Sequence, residues 1–248
     1  METPWLRGER SEMRIVVNEK YISRRATAGR YLSLAGLLIL LVAFIFSWIQ
    51  VRSSVIMPLT LGAALVLGIF ASFIGGYYLE RFAGPTTAHH IGVRESLKGL
   101  DDRYVLFQYV LPVPHVLLGP RGLTVIVVRS QPGEIRYADG RWTHRQRGKF
   151  FRELAGQERL GRPEVEVEEQ VERMRRHLEK RLPEVEVPIE GVVLFINPEA
   201  RVEAKDLPVP VFFRKKVKEW LRLSHASKSL PAAVRERVEE VLLSEVEG

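Results

Sequence analysis

The chain has 248 residues, with 37 basic and 30 acidic side chains and no cysteine. The missing cysteine excludes a disulfide scaffold, a thiol nucleophile and a cysteine-ligated zinc, and a 46% hydrophobic content excludes a disordered chain. Charge is unevenly spread: residues 31–79 hold a single charged side chain, Arg52, so a plain soluble globule is excluded as well.

Residues 1–30 carry seven basic and four acidic side chains. They are expected to form a mobile tail beside the membrane, with weak attraction to anionic lipid heads as the alternative. Tyr31–Val51 is uncharged over 21 residues. As a helix it would be about 31 Å long, matching a hydrocarbon core of roughly 30 Å. Ser53–Leu79 adds 27 uncharged residues. The sequence therefore predicts a two-span transmembrane α-hairpin, residues 31–51 and 55–79, closed by a tight loop around Gln50–Ser54. A signal peptide has a shorter apolar stretch, closer to the start of the chain. Arg24, Arg25 and Arg30 precede the first span and Arg52 alone lies in the loop. That bias predicts a cytoplasmic (inner) membrane with both termini cytoplasmic.

Pro58 falls in the first turn of the second span, where a missing amide proton is harmless. Ala64, Gly68, Ser72 and Gly76 follow at four-residue spacing, a stripe of small residues suited to close helix packing. Its expected partner is the first span; homo-oligomerisation or contact with another membrane protein is the alternative. No Asp, Glu, Lys or His lies in residues 31–79, which argues against an ion path or proton relay.

Residues 80–248 are nearly balanced, with 29 basic and 26 acidic side chains. Residues 80–87, with Gly84-Pro85, read as a linker, and 88–248 as an α/β domain with C-terminal helices. Ala88–Leu100 is predicted helical, with Ile91, Leu97 and Leu100 on one face. Tyr104–Leu111, Val116–Leu118 and Leu123–Val128 are predicted strands, the last two joined by Gly119-Pro120-Arg121-Gly122. Ile135–Ala138 and Trp142–His144 flank the Asp139-Gly140 turn and extend the run into a β-meander. Val167, Val171, Met174 and Leu178 mark a helix ending before Pro183, with Glu169–Arg173 and Glu172–Arg176 as surface pairs. Gly191–Ile196 reads as a strand buried on both sides and Val209–Phe212 as another. Two helices close the chain, one over Arg214–Leu223 and one from Pro231 with Ser229 as its cap. The whole predicts a β-meander core with helices on both faces of the sheet.

The stretch Leu111–Ile135, followed by Gly140-Arg141-Trp142, resembles the nuclease-related domain (NERD) family, a branch of the restriction-endonuclease-like fold. Family members have a strand ending in Asp-His-Val, a Gly-Pro-x-Gly turn, a strand reading Val-Ile-Glu-x-Lys, and a hairpin with Trp. Pro163, Gln170 and Gly191-Val-Val-Leu-Phe match the family's second half, and the likeness spans roughly residues 88–222. The resemblance implies a divalent metal held by the Asp and the Glu, with the Lys positioning water or offsetting phosphorane charge. Here Pro114 stands at the Asp position, Val127 at the Glu position and Arg129 at the Lys position. His89-His90 align with an upstream Gly-Glu pair. No cofactor or metal is therefore expected, and the domain reads as a degenerate, pseudoenzyme form acting in binding or assembly in a bacterial-type membrane. A membrane-tethered, metal-dependent nuclease with an atypical site is the alternative.

Among the six histidines, His90 and His115 with Glu95 form the best zinc set, but satisfied or exposed histidines are the simpler expectation. There is no P-loop, Gly-x-Gly-x-x-Gly or Gly-x-Ser-x-Gly motif. Arg141, Arg145, Arg147, Lys149 and Arg152 interleave with Trp142, Phe150 and Phe151. This composition suits nucleic-acid phosphates with base stacking or an anionic lipid surface; a hairpin rim over a buried Phe pair is the structural alternative. Arg214, Lys215, Lys216, Lys218 and Arg222 form a second basic group, expected to be solvated above Phe213, Val217, Trp220 and Leu221.

Overall fold

A computed structural model describes residues 12–48, 56–204, 207–223 and 229–247. The predicted loop around Gln50–Ser54 with Arg52, the end of the first span at Val51, and His225 lie outside the described residues.

Strand β1 (Arg14–Val17) opens the described chain and passes through one residue, Asn18, into helix α1 (Glu19–Trp48). The Asn18 side chain accepts the backbone N–H of Tyr21 at 2.8 Å, the bond that starts the helix. Helix α2 (Ile56–Phe82) returns antiparallel to it. Both helices are long and apolar enough to cross a membrane, with mean hydropathies of 2.3 and 2.0 over their most apolar windows. Leu34, Leu37, Leu41, Phe44 and Phe70 all lie more than half exposed on them.

The buried positions of the two helices repeat every seven, and all but Ile22 and Phe82 are small. Ile22, Gly29, Gly36 and Ala43 are the buried positions of α1; Gly68, Gly75 and Phe82 are buried on α2. A seven-residue repeat keeps a seam facing its partner in a left-handed crossing. At Gly36 an added Cβ would sit 2.5 Å from the Ser72 nitrogen and 2.7 Å from the Gly68 carbonyl oxygen. The predicted four-residue stripe is thus divided. Gly68 and Ser72 face α1, Ala64 lines a groove beside Ala43, and Gly76 turns away to meet Ala155 and Gly156 of the α/β domain.

After α3 (His89–Leu97) come β2 (Val105–Gln108), β3 (His115–Gly119), β4 (Gly122–Arg129), β5 (Gly133–Ala138), β6 (Arg141–Arg145), α4 (Lys149–Leu154) and α5 (Pro163–Arg181). Then follow β7 (Ile189–Phe195), β8 (Ala200–Ala204), β9 (Val211–Phe213), α6 (Lys216–Leu223) and α7 (Ala232–Glu247). The main sheet has the order β1-β2-β3-β4-β7-β9. Only β2, β3 and β4 form a meander; β1–β2, β4–β7 and β7–β9 pair parallel.

Alternating strand residues feed two cores, as the two-residue period requires. Leu106, Leu117, Ile126, Val128, Val192 and Leu194 pack under Val93 and Leu97 of α3 and Val217 and Leu221 of α6. Val105, Phe107, Val116, Leu118, Leu123 and Val125 pack under Met174 and Leu178 of α5 and Val238 and Leu242 of α7. Helices cover both faces, as the sequence predicts.

Four expectations are corrected. Residues 14–30 are not a tail: β1 pairs parallel with β2 from Arg14↔Val105 to Val17↔Gln108, and α1 begins at Glu19. Four residues are too short a run to stand out by periodicity. The β5–β6 hairpin leaves the meander and joins β8 in a separate sheet of order β6-β5-β8. Its turn is of the predicted kind, with positive φ at Asp139 (52°) and Gly140 (73°). Ile91 is 40% exposed, and Val93 takes the core position beside Leu97. Ser229 does not cap α7; its hydroxyl donates to the Pro120 carbonyl at 3.4 Å.

Candidate functional site

The strand directions bring one edge of the main sheet against the foot of the helical pair. Val17, Gln108 and His115 are register neighbours there, and Arg129 stands beside Phe195, with Phe213 next. Tyr21 of α1 and Phe82 of α2 close over Tyr109, stacked at 5.3 Å and tilted at 5.4 Å. Tyr109 meets the His115 ring edge-on at 4.9 Å. Tyr109 holds a left-handed backbone, φ 57°, and its N–H is fixed by the Pro114 carbonyl at 2.8 Å.

This edge carries the positions singled out by the resemblance. Strands β3 and β4 pair Val116 with Val125; Pro114 lies just before the first residue of β3, and Val127 pairs with Val193 of β7. Val127 and Arg129 share the α5 face of β4. Val127 and Arg129 thus lie together on β4, with Pro114 at the start of the neighbouring strand, and none of the three positions holds a carboxylate. Val127 is 1% exposed among Leu160, Val167, Val193 and Phe195. Arg129 is 4% exposed, and its guanidinium reaches Glu166 of α5 at 2.5 Å and the carbonyls of Leu160 and Val128 at 3.1 and 3.0 Å. Glu166 also accepts from Gln170 at 2.9 Å.

A second charged group lies alongside and comes from α2. Arg81 meets Glu158 at 3.5 Å and donates to the Tyr77 hydroxyl at 3.0 Å. Glu80 accepts from the Ser130 hydroxyl at 3.2 Å and from the Glu158 backbone N–H at 3.3 Å. Gln131 donates to the Glu158 carbonyl, and Asn197 donates to that of Ser130. The foot of α2 is thus bonded into the segments that follow β4 and α4. Glu80, Arg81, Glu158 and Glu166 were not identified from sequence, where residues 80–87 read as a linker. The signal was present: Glu80-Arg81 is the first charged pair after the long uncharged run.

His89, His90 and His115 are all buried. Both ring nitrogens of His115 and Nδ1 of His90 have no hydrogen-bond partner among the described residues. Burial holds His115 well below the ordinary histidine range, helped by the positive charge of Arg81. Burial and then Arg81 do the same for His89, which stays neutral although Glu158 lies 3.8 Å away. Burial, with Arg94 nearby, brings His90 down to about 4.

These residues do not fit a divalent metal. Such ions take several oxygen or imidazole ligands on one centre. Proline and valine stand where the resemblance puts the carboxylates, and Glu166 and Glu158 already face guanidiniums. Among the described residues no group of three His, Asp or Glu side chains converges, and this covers the set His90, His115 and Glu95.

The basic residues fall into two places. Arg141 and Arg145 are exposed on β6, Arg147 and Arg152 flank α4, and Lys149 is half-exposed, 3.8 Å from Glu153. Trp142 is not free to stack on a base: it packs on Phe195 at 6.0 Å and donates to Glu164 at 2.7 Å. Phe150 and Phe151, one option for which was a buried pair, are 72% and 73% exposed. In the second group Lys218 and Arg222 donate to the carbonyls of Lys98 and Gly99, satisfying the end of α3.

Two long apolar helices rooted in a mixed α/β domain define the class. Residues 92–196, from within α3 to just past β7, match the family model of the nuclease-related domain, NERD. Neither a comparison with curated proteins nor one with solved structures finds a match.

Proposed function

We propose that this protein is a membrane-anchored NERD-like module of the restriction-endonuclease-like type that is catalytically inactive and acts in binding or assembly. The hairpin spans a bacterial-type inner membrane, with the α/β domain and both termini on the cytoplasmic side. Exposed Leu and Phe side chains along α1 and α2 support the span, and Arg24, Arg25 and Arg30 at one end support the orientation. The lost chemistry rests on one observation. At Pro114 and Val127 no side chain offers a metal ligand, and Arg129 is engaged by Glu166. Proline and valine cannot be rescued by protonation or by a change of rotamer.

The test is purified full-length protein with Mg²⁺ or Mn²⁺ on single- and double-stranded DNA and RNA. No metal-dependent cleavage above a blank preparation is the expected result. Cleavage abolished by Glu158→Gln or His89→Ala would overturn the reading and establish the alternative, a nuclease with an atypical site.

A further inference from the structure

We propose that α4 is a second membrane contact, with Phe150 and Phe151 immersed at the bilayer surface and Arg145, Arg147 and Arg152 set against anionic lipid phosphates. The inference rests on the reading of α1 and α2 as membrane spans, and it starts from the height at which α4 sits on them. Gly156, just after α4, lies against α2 from Phe73 to Tyr77; a Cβ there would be 2.7 Å from the Gly76 carbonyl carbon. Phe73 is nine residues before the end of α2, about 13 Å along the axis. The facing level of α1 is set by Gly75, whose Cβ would lie 2.7 Å from Ser33 Cα and 2.9 Å from the Gly29 carbonyl. Tyr31, where the uncharged run of α1 begins, falls at that height. The segment after α4 therefore touches the hairpin at the border between its charged foot and its charge-free length.

The composition of α4 fits that border. Phe150 and Phe151 lie edge-on at 5.6 Å and make no core, and Leu154 is 45% exposed. Adjacent exposed phenylalanines, a few residues before the turn that meets α2, form an apolar patch near the hairpin. Around them Arg145, Arg147 and Arg152 are exposed, while Glu153, the one acid on the helix, is engaged by Lys149 and by Arg159 at 3.3 Å. An open pocket of about 380 Å³ lies between this turn and the foot of α2, lined in part by Gly76, Glu80, Ala83, Arg152 and Gln157. It is of a size to take a lipid headgroup. Trp142, the natural base-stacking residue of the run, is turned into the domain, which favours lipid over nucleic acid.

The absence of cysteine makes the test direct. Full-length Phe151→Cys, Leu41→Cys and Asp102→Cys each carry one spin label, on α4, on the exposed side of α1 and at the far end of the domain. Labelled protein is placed in nanodiscs of phosphatidylcholine with or without phosphatidylglycerol. Collision rates are read with oxygen, which enriches in lipid, and with a water-soluble nickel chelate. Relative to position 102, nickel collisions fall several-fold at both 41 and 151 and oxygen collisions rise. Phosphatidylglycerol deepens the label at 151, and Arg147→Ala with Arg152→Ala removes that dependence. Position 151 behaving like 102 while 41 is shielded overturns the α4 contact and leaves the spans standing. Position 41 behaving like 102 overturns both. Shielding at 151 only on adding an oligonucleotide assigns the patch to nucleic acid and overturns the lipid contact.

Discussion

Arg129 on β4 and Glu166 on α5 form a close ion pair, 2.5 Å apart, with the guanidinium 4% exposed and the carboxylate side 33% exposed. The asymmetry sets the consequence of losing either partner. Glu166→Ala leaves a buried guanidinium with only the Leu160 and Val128 carbonyls, and should destabilise the domain by about 3 kcal/mol. Arg129→Met fills the same space with an apolar chain while Glu166 turns toward water, and should cost less than half as much. Urea unfolding in detergent, followed by tryptophan fluorescence, measures both. A larger loss for Arg129→Met would show that the pair is not what stabilises this edge.

Val127 stands where the resemblance implies a metal-binding glutamate, yet it is core. Val127→Glu buries a carboxylate among Leu160, Val167, Val193 and Phe195 and should cost several kcal/mol, on the order of 3 or more. Mg²⁺ or Mn²⁺ should not restore the lost stability, because Pro114 supplies no second ligand. A metal-dependent rise in the melting temperature of Val127→Glu, absent from the wild type, would contradict this.

Acid should weaken the junction between hairpin and sheet. His90 titrates near 6.5 when exposed and at about 4 in the fold, and His89 and His115 are also pushed down by burial. A base with a lowered folded pKa binds protons more readily in the unfolded state. Its contribution is therefore complete above about 6.5 and is lost as pH falls from there through the folded value. Each such histidine contributes a slope of about 1.4 kcal/mol per pH unit within that window. Stability measured between pH 7 and 4.5 should decline accordingly, and His115→Phe should reduce the slope by about one proton. An unchanged slope in His115→Phe would exclude His115 as a source.

The seven-residue seam predicts which glycines matter. Gly36→Ala places a Cβ 2.5 Å from the Ser72 nitrogen, forcing backbone apart, and should lower the melting temperature in detergent. Gly62→Ala meets nothing within 4 Å and should be neutral or slightly stabilising, since alanine favours a helix by roughly 0.5–1 kcal/mol over glycine. Similar losses from both variants would mean that general helix propensity, and not the seam, controls the hairpin.

Much of the molecule was legible because its signals are local. The charge-free stretches within α1 and α2 are composition, and β3, β4 and β7 are dense runs of β-branched and aliphatic residues bounded by turn chemistry. Pro114, Val127 and Arg129 could be named through the resemblance to the NERD family, since the stretch that carries it is one contiguous segment. What the sequence concealed is pairing at a distance. Four residues at Arg14–Val17 show no period that marks a strand until β2 lies beside them, so the apparent tail was a strand of the main sheet. Phe150 and Phe151 have the composition of a core pair, and only the docking of the following turn onto α2 leaves them exposed.

By itself, then, the sequence determined two apolar helices and an α/β domain resembling a nuclease-related one, because each is a property of adjacent residues. The tertiary structure alone decided that the hairpin is rooted in the sheet through β1, Tyr109 and Arg81, and that Arg129 is neutralised by Glu166. Those contacts join residues up to 91 positions apart, as when Val17 pairs with Gln108. Folding is what brings such charges and apolar faces to contact distance, and no local pattern records it.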